Sequence, residues 1–372
     1  DNDEWKVMAL SAFDVDNEEY LEKIRNTVKL TDDGLFELDL SFYQGHLLDE
    51  PKLYTKKLFD YLGGREGIPG EEPDKWFFSI AKAMQIVSEE IVNHIVNGLY
   101  EKTKSENIVL SGGYFMNSVY NGKIIKNTPF KKVYISYSPA DVGNSIGTAL
   151  YVAHCIHNEK RNYMFNSSYI GPSFNNKEVQ EVLSRRKIKY QEIKDVSEKV
   201  ASLLAEEKVV AVSSGRMEFG ERALGNRSIL GDPRSNNMKD KINSIIKFRE
   251  SYRPFAPAVL YEKAHQFFEI TENYESNFME KVVPIKKEFH KKLPAVTHID
   301  GSGRLQTVKK EHNEQFYNII SEFEKLTGFP IVLNTSFNIN GEPIVLSPDD
   351  ALNTFYNSGL EYLIINNFLV TK

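Results

Sequence analysis

Residues 215–257 hold six arginines, Arg216, Arg222, Arg227, Arg234, Arg249 and Arg253, broken up by Gly215, Gly220, Gly225 and Gly231. The stretch follows an apolar run at 209–212 that reads as a buried strand. A chain that empties a buried strand into so much fixed positive charge must find partners for it. Guanidinium forks grip phosphate or carboxylate with two hydrogen bonds, and glycine lets backbone come close to a ligand. The stretch is therefore a candidate anion site. The plainer reading is a solvated basic loop held by ion pairs, since Glu218, Glu221, Asp232 and Glu250 lie among the arginines.

Any anion affinity must be local, because the whole chain carries a net charge of −6. At 372 residues it has room for two ordinary domains. Cys155 is its single cysteine, which excludes internal disulfides and points to a reducing, cytoplasmic setting. Cys155 lies in a helical pattern and reads as a buried structural thiol. No apolar run has the length of a membrane span. The chain opens on Asp1 and runs straight into EWKVMAL, the expectation being an excerpt of a longer protein.

Hydrophobic periodicity orders the rest as an α/β protein. Helices are expected at 1–12, 17–28 and 74–102, with a strand at 35–43 and a glycine-rich loop at 63–70. Gln85 and Glu89 stand one turn apart on the long helix, and a solvated or capping role for Glu89 is the commoner case. His94 reads as packed. A strand at 107–110 runs into Ser111-Gly112-Gly113, and one at 133–136 into Asp141 and Gly143. Paired glycines at a strand exit present amides to a phosphate or sugar, and a carboxylate there suits a metal or a helix N-cap. His154 and His157, three apart, lack a partner spaced to complete a metal site and read as structural. A polar, aperiodic linker is placed at 158–168, between domains at 1–157 and 169–372. The second domain should hold helices at 177–186, 196–207, 238–246, 262–268 and 313–327. Its strands are expected at 189–193, 209–213, 255–260, 282–285, 295–299, 305–308 and 330–333, with a final pair at 362–370.

Four segments together are recognisable: LSGGYFMNSVYNGKI, SPADVGNSIGTAL, GRMEFGERALGNRSILGDPR with KFRESYRPFAP, and FPIVLNTSFNINGEPIV. They resemble the NodU/CmcH family of O-carbamoyltransferases over nearly the whole chain. The resemblance implies a partial actin/sugar-kinase-like lobe at 1–157 and a YrdC-like domain at 169–372. It implies that ATP, with Mg2+, and carbamoyl phosphate give a carbamoyl-adenylate in the second domain. The carbamoyl group then passes to a hydroxyl of a small-molecule acceptor at an iron site in the first. By similarity Arg222, Lys247, Arg249, Arg253 and Arg304 meet the phosphates, Asn334 and Ser336 share their pocket, Gly112, Gly113 and Asn117 match the adenylate loop, and Asp141 matches a metal ligand. Arg216 and Arg227 are alternatively structural partners of Glu218, Glu221 or Asp232.

The family's paired metal histidines, spaced His-x-x-x-His, have no counterpart among His46, His94, His154, His157, His265, His290, His298 and His312. Adenylate formation is then expected to survive in this chain while transfer is impaired, the missing lobe lying upstream or on a separate polypeptide. A non-catalytic nucleotide-binding partner is the alternative from another class. RNA modification of the threonylcarbamoyl type is a third, disfavoured by the acidic net charge and the lack of interleaved aromatic and basic residues.

Overall fold

The structure, a computed structural model, describes residues 4–47, 52–68, 71–162, 167–250 and 252–372. Residues 1–3 of the first expected helix, Pro69 and Gly70 of the expected loop and 163–166 of the expected linker lie outside the described residues. The chain forms two compact units, Asp1–Val109 with Lys123–Tyr134, and Leu110–Gly122 with Ile135–Lys372.

The first unit is built on the helix Lys75–Thr103, started by the Asp74 side chain accepting from the Trp76 amide at 3.0 Å. Its apolar stripe, with Ala83 and Val87 buried, packs on Ile24 of the helix Glu18–Arg25. Strands β1 (Val28–Leu30) and β2 (Phe36–Leu38) form an antiparallel hairpin, and β3 (Asn107–Leu110) lies beside β4 (Lys132–Ile135). Glu89 is neither a cap nor solvated. It is buried, accepts from Gln85 Nε2 at 2.7 Å, and its two oxygens lie 2.7 and 2.9 Å from Lys123 Nζ. His94 is tied to the Thr31 carbonyl at 2.8 Å.

The second unit is organised by a nine-stranded mixed sheet. Its strands are β5 (Gln191–Glu192), β6 (Val210–Ser213), β7 (Arg227–Gly231), β8 (Ala256–Leu260), β9 (Lys281–Pro284), β10 (Ser302–Val308), β11 (Ile331–Ser336), β12 (Tyr362–Ile365) and β13 (Phe368–Thr371). They are ordered β5-β13-β12-β6-β7-β11-β8-β10-β9. Side chains alternate between faces, so each strand serves two cores. Leu305, Ile331 and Leu333 join one, and Leu230, Ala258, Leu260, Val308 and Val332 join the other, under the helices Val196–Ala205 and Glu314–Thr327. Burial of these apolar faces is the main stabilising term.

That second face changes character toward one end. Val332 is followed two and four residues on by Asn334 and Ser336. Val308 is preceded by Gln306 and Arg304, and Leu230 by Ser228. Pairing of β11 with β7 and β8 sets Asn334 opposite Leu230 and Ala256, and Ser336 opposite Ser228. A polar patch thus continues the apolar face without any break in the sheet.

Several expectations fail for physical reasons. Residues 295–299 are not a strand. Ala295 and Val296 are buried, but the Val296 and Thr297 amides turn back to the Leu293 carbonyl, so apolarity alone imitated a strand. β7 lies inside the arginine stretch, where a buried arginine at its first position disguised it. A further helix, Pro348–Tyr356, lies outside the expected elements and starts at a capping box between Ser347 and Asp350. Cys155 is exposed, on the π-helical turn Val152–Ile156. Among the described residues no helix is long and apolar enough to cross a membrane.

Candidate anion-binding site

The loop between β6 and β7 is shaped by one carboxylate. Glu218 is buried, and its Oε1 accepts from the backbone amides of Leu224 and Asn226, each at 2.7 Å, and of Arg227 at 3.4 Å. Burial pushes its pKa up, and the amide donors oppose that. The loop glycines serve close protein packing rather than a ligand. Gly220 and Gly225 have φ of +115° and +123°, and a Cβ would come within 2.4 Å of the Tyr137 carbonyl oxygen and of the Phe316 ring respectively.

The arginines divide into two groups. Arg216 donates to the carbonyls of Gly171 and Ile170 at 3.0 and 2.6 Å. Arg227 donates to those of Asn226, Ser214 and Leu346 at 2.9, 3.1 and 3.2 Å. Both are architectural and donate to carbonyls, and Arg227 also feels the charge of Glu218, one of the carboxylates named for it. Arg234 pairs with Asp232 at 2.7 Å.

Arg222, Lys247, Arg249, Arg253 and Arg304 behave differently, because they confront one another. Burial holds Arg304 well below the usual arginine range, and Arg222, Arg249 and Arg253 add repulsion. Lys247 is depressed by burial and then by Arg249 and Arg253. Arg222 and Arg249 are lowered by burial, each also repelled by Arg253 and partly relieved by Glu221 and Glu250 respectively. Glu250 also lies 3.5 Å from Arg253. Among the described residues the two carboxylates Glu221 and Glu250 do not balance five cations. Among the described residues Arg304 Nε is buried with no acceptor. Leaving ionised donors buried and unpaired is expensive, and a bound anion removes that cost.

The polar end of the sheet face holds the other members. Lys247, only 4% exposed, donates to the Ser336 carbonyl (2.6 Å) and hydroxyl (3.1 Å) and to the Asn338 carbonyl (3.2 Å) and side-chain oxygen (2.7 Å). It fixes the turn after β11. Asn334 Nδ2 donates to Gln306 Oε1 at 2.8 Å and to the Ala223 carbonyl at 3.2 Å, while Gln306 Nε2 donates to Leu224 at 3.0 Å. Among the described residues Asn334 Oδ1 is left buried without a donor. The Arg249 guanidinium lies 4.4 Å over the Phe255 ring, which sets its plane.

Two residues not assigned from the sequence also belong here. Lys239 is depressed by burial and by Arg249, against the pull of Asp240. His298 feels Arg304 and Lys239. Neither has a local pattern that separates it from an ordinary surface lysine or packed histidine. The three cations that repel Arg304, Arg222, Arg249 and Arg253, all come from residues 215–257, and only the sheet brings them to β10.

The loops after β3 and β4 meet through the Gly112 amide and the Ser111 hydroxyl, which donate to the Pro139 carbonyl at 2.7 and 3.1 Å. A Cβ at Gly112 or Gly113 would meet nothing within 4 Å, so this backbone is open to approach. Asn117 caps the turn Ser118–Asn121, its Oδ1 accepting from the Tyr120 amide at 3.1 Å. Asp141 is exposed at the start of the turn Asp141–Gly143. Among the described residues no group of three or more His, Cys, Asp or Glu side chains converges to hold a metal ion. Ser138, in the same loop as Pro139, donates to Glu221 at 3.3 Å, which ties it to the arginine stretch.

Fold and site together define a mixed α/β protein with a buried, self-repelling cationic cluster at the polar end of its main sheet. The chain belongs to the carbamoyltransferase family. Residues 1–150 match the model for the carbamoyltransferase N-terminus and residues 201–372 that for the C-terminus. It is 35% identical to nodulation protein NolNO of Sinorhizobium fredii, covering 100% of this chain and 53% of that protein. It is 34% identical to nodulation protein NolO of Bradyrhizobium diazoefficiens, covering 100% and 66%. An uncharacterized protein of Synechocystis is 35% identical, with coverage of 99% and 64%. The chain thus spans between about half and two thirds of the length of these relatives.

Proposed function

We propose that this chain activates a carbamoyl group with ATP for transfer to a hydroxyl of a small, sugar-like or natural-product acceptor. The observation that carries the reading is the cluster of Arg222, Lys247, Arg249, Arg253 and Arg304, five cations facing one another with two carboxylates among them. Carbamoyl phosphate and ATP-Mg2+ bring several negative charges to one place, and fixed guanidinium groups neutralise them without giving up protons. In the proposed chemistry, hydrolysis frees carbamate and inorganic phosphate from carbamoyl phosphate. A carbamate oxygen then bonds to the α-phosphorus of ATP, and the bond to pyrophosphate breaks. The cations stabilise the charge that gathers on the leaving pyrophosphate. Lys247 holds the Ser336–Asn338 turn, and Asn334 offers its unfilled oxygen to an N–H group.

Residues 169–372 are read as a YrdC-like, adenylate-forming domain, residues 1–157 as part of an actin/sugar-kinase-like lobe, and 158–168 as the linker. Gly112 and Gly113, open to approach, suit the adenylate. The iron implied by the family does not fit the described residues. Asp141 has no second and third ligand beside it, so no step is assigned to a metal here. The proposed setting is the cytoplasm. Pyrophosphate release from ATP, measured with and without carbamoyl phosphate, tests the reading. Dependence on carbamoyl phosphate supports it, and nucleotide binding without release would favour a non-catalytic nucleotide-binding partner.

A further inference from the structure

We infer that His298 is a further binding residue of the cationic site, a neutral hydrogen-bond acceptor that selects a ligand carrying an N–H group beside its negative charge. Proton bookkeeping carries the inference, which rests on the function proposed above. Asp300 Oδ1 accepts from the Ser302 amide at 3.0 Å and from the Ser302 hydroxyl at 2.6 Å. A hydroxyl has one proton, and here it goes to the carboxylate. His298 Nδ1 lies 3.0 Å from the same Ser302 oxygen, so it must be the donor. The Asp300–Ser302–His298 chain therefore leaves the lone pair of the imidazole on Nε2, as an orienting partner does elsewhere. That atom is buried and, among the described residues, has no partner.

The placement follows from β10. Ser302 and Arg304 are two residues apart and share a face of the strand, so the imidazole anchored on Ser302 stands beside the Arg304 guanidinium. The charged groups facing the ring are Asp300, Arg304 and Lys239. Burial, Arg304 and Lys239 hold its pKa down at about 4, against the pull of Asp300, so the ring is neutral near pH 7. An acceptor lodged among cations is of no use to a bare phosphate, which offers only acceptors. It suits an amide –NH2 attached to an acyl phosphate. Carbamoyl phosphate has that group, and acetyl phosphate has a methyl in its place.

The test is equilibrium binding of three probes, carbamoyl phosphate, acetyl phosphate and pyrophosphate, to the whole chain and to His298→Ala and Ser302→Ala. The unaltered chain should bind carbamoyl phosphate about tenfold more tightly than acetyl phosphate, as one buried hydrogen bond to an amide allows. His298→Ala should lose most of that preference, the remainder resting on Asn334, while binding pyrophosphate within about twofold of the unaltered chain, which also shows that it folds. Ser302→Ala, which frees the ring to change tautomer, should lose part of it, and His298→Gln, which keeps an acceptor, should restore part. A preference undiminished in His298→Ala, or one absent from the unaltered chain although pyrophosphate binds, overturns the role of His298. Failure of the unaltered chain to bind any of the three overturns the anion-site reading and this inference with it.

Discussion

Lys247 Nζ donates to the carbonyl and the hydroxyl of Ser336, at 2.6 and 3.1 Å, across 89 positions of sequence. One ammonium group thereby pins the end of β11 to the arginine stretch. Lys247→Met keeps the apolar stem and removes the donor from four acceptors. Loss of charge-assisted hydrogen bonds worth roughly 1.5–3 kcal/mol should raise the dissociation constant for pyrophosphate by about tenfold or more. Calorimetric titration of the variant checks this, with circular dichroism confirming the fold.

Arg304→Ala and Arg253→Ala should act with opposite signs on binding and stability. Each removes a proposed phosphate contact, worth roughly 1.5–3 kcal/mol, and should so weaken nucleotide binding. Each also relieves repulsion within the unliganded cluster, so the ligand-free melting temperature should not fall and is expected to rise. Thermal melts with and without pyrophosphate measure both effects in one series. A ligand-free loss of stability in both variants would mean that these cations are structural.

Much of this cationic cluster was legible in the sequence, yet its division of labour was not. The arginine stretch and the Asn334–Ser336 end of β11 are contiguous motifs, and the residues at their centre are those that meet. What separated Arg222 from Arg227 was where each lies relative to the sheet. Arg227 begins β7 and is consumed by backbone carbonyls, while Arg222 faces Arg304. The sheet order that sets β7, β11, β8 and β10 side by side depends on pairings between strands as much as 100 residues apart, roughly, which no local pattern encodes. The same non-local geometry hides His298, whose significance lies in two proton positions rather than in its neighbours in the chain.

Glu218→Ala should collapse the loop that carries Arg222. The amides of Leu224, Asn226 and Arg227 would lose their common acceptor in a buried setting, at a cost of about 3 kcal/mol. Glu218→Gln retains an oxygen and should cost less. Denaturant unfolding of the two variants decides between this and a merely electrostatic role, for which the two would be equal.

His298 also makes a pH prediction. Its pKa is about 4 in the folded chain against an ordinary 6.5. Between those values the unfolded chain binds a proton that the folded chain refuses, so this group makes stability fall as pH drops from 6.5 to 4 and level off below. The contribution is on the order of 3 kcal/mol, and it should vanish from the pH profile of His298→Gln. Parallel unfolding curves for the two proteins across that window measure the difference.

The central claim is that the five-cation cluster joins a carbamoyl group to ATP. Pyrophosphate release from ATP, followed in the intact chain and in Arg304→Ala, tests it most directly. Release should require carbamoyl phosphate in the intact chain and fall at least about tenfold in the folded variant. Release that is indifferent to carbamoyl phosphate, or undiminished in Arg304→Ala, would contradict it.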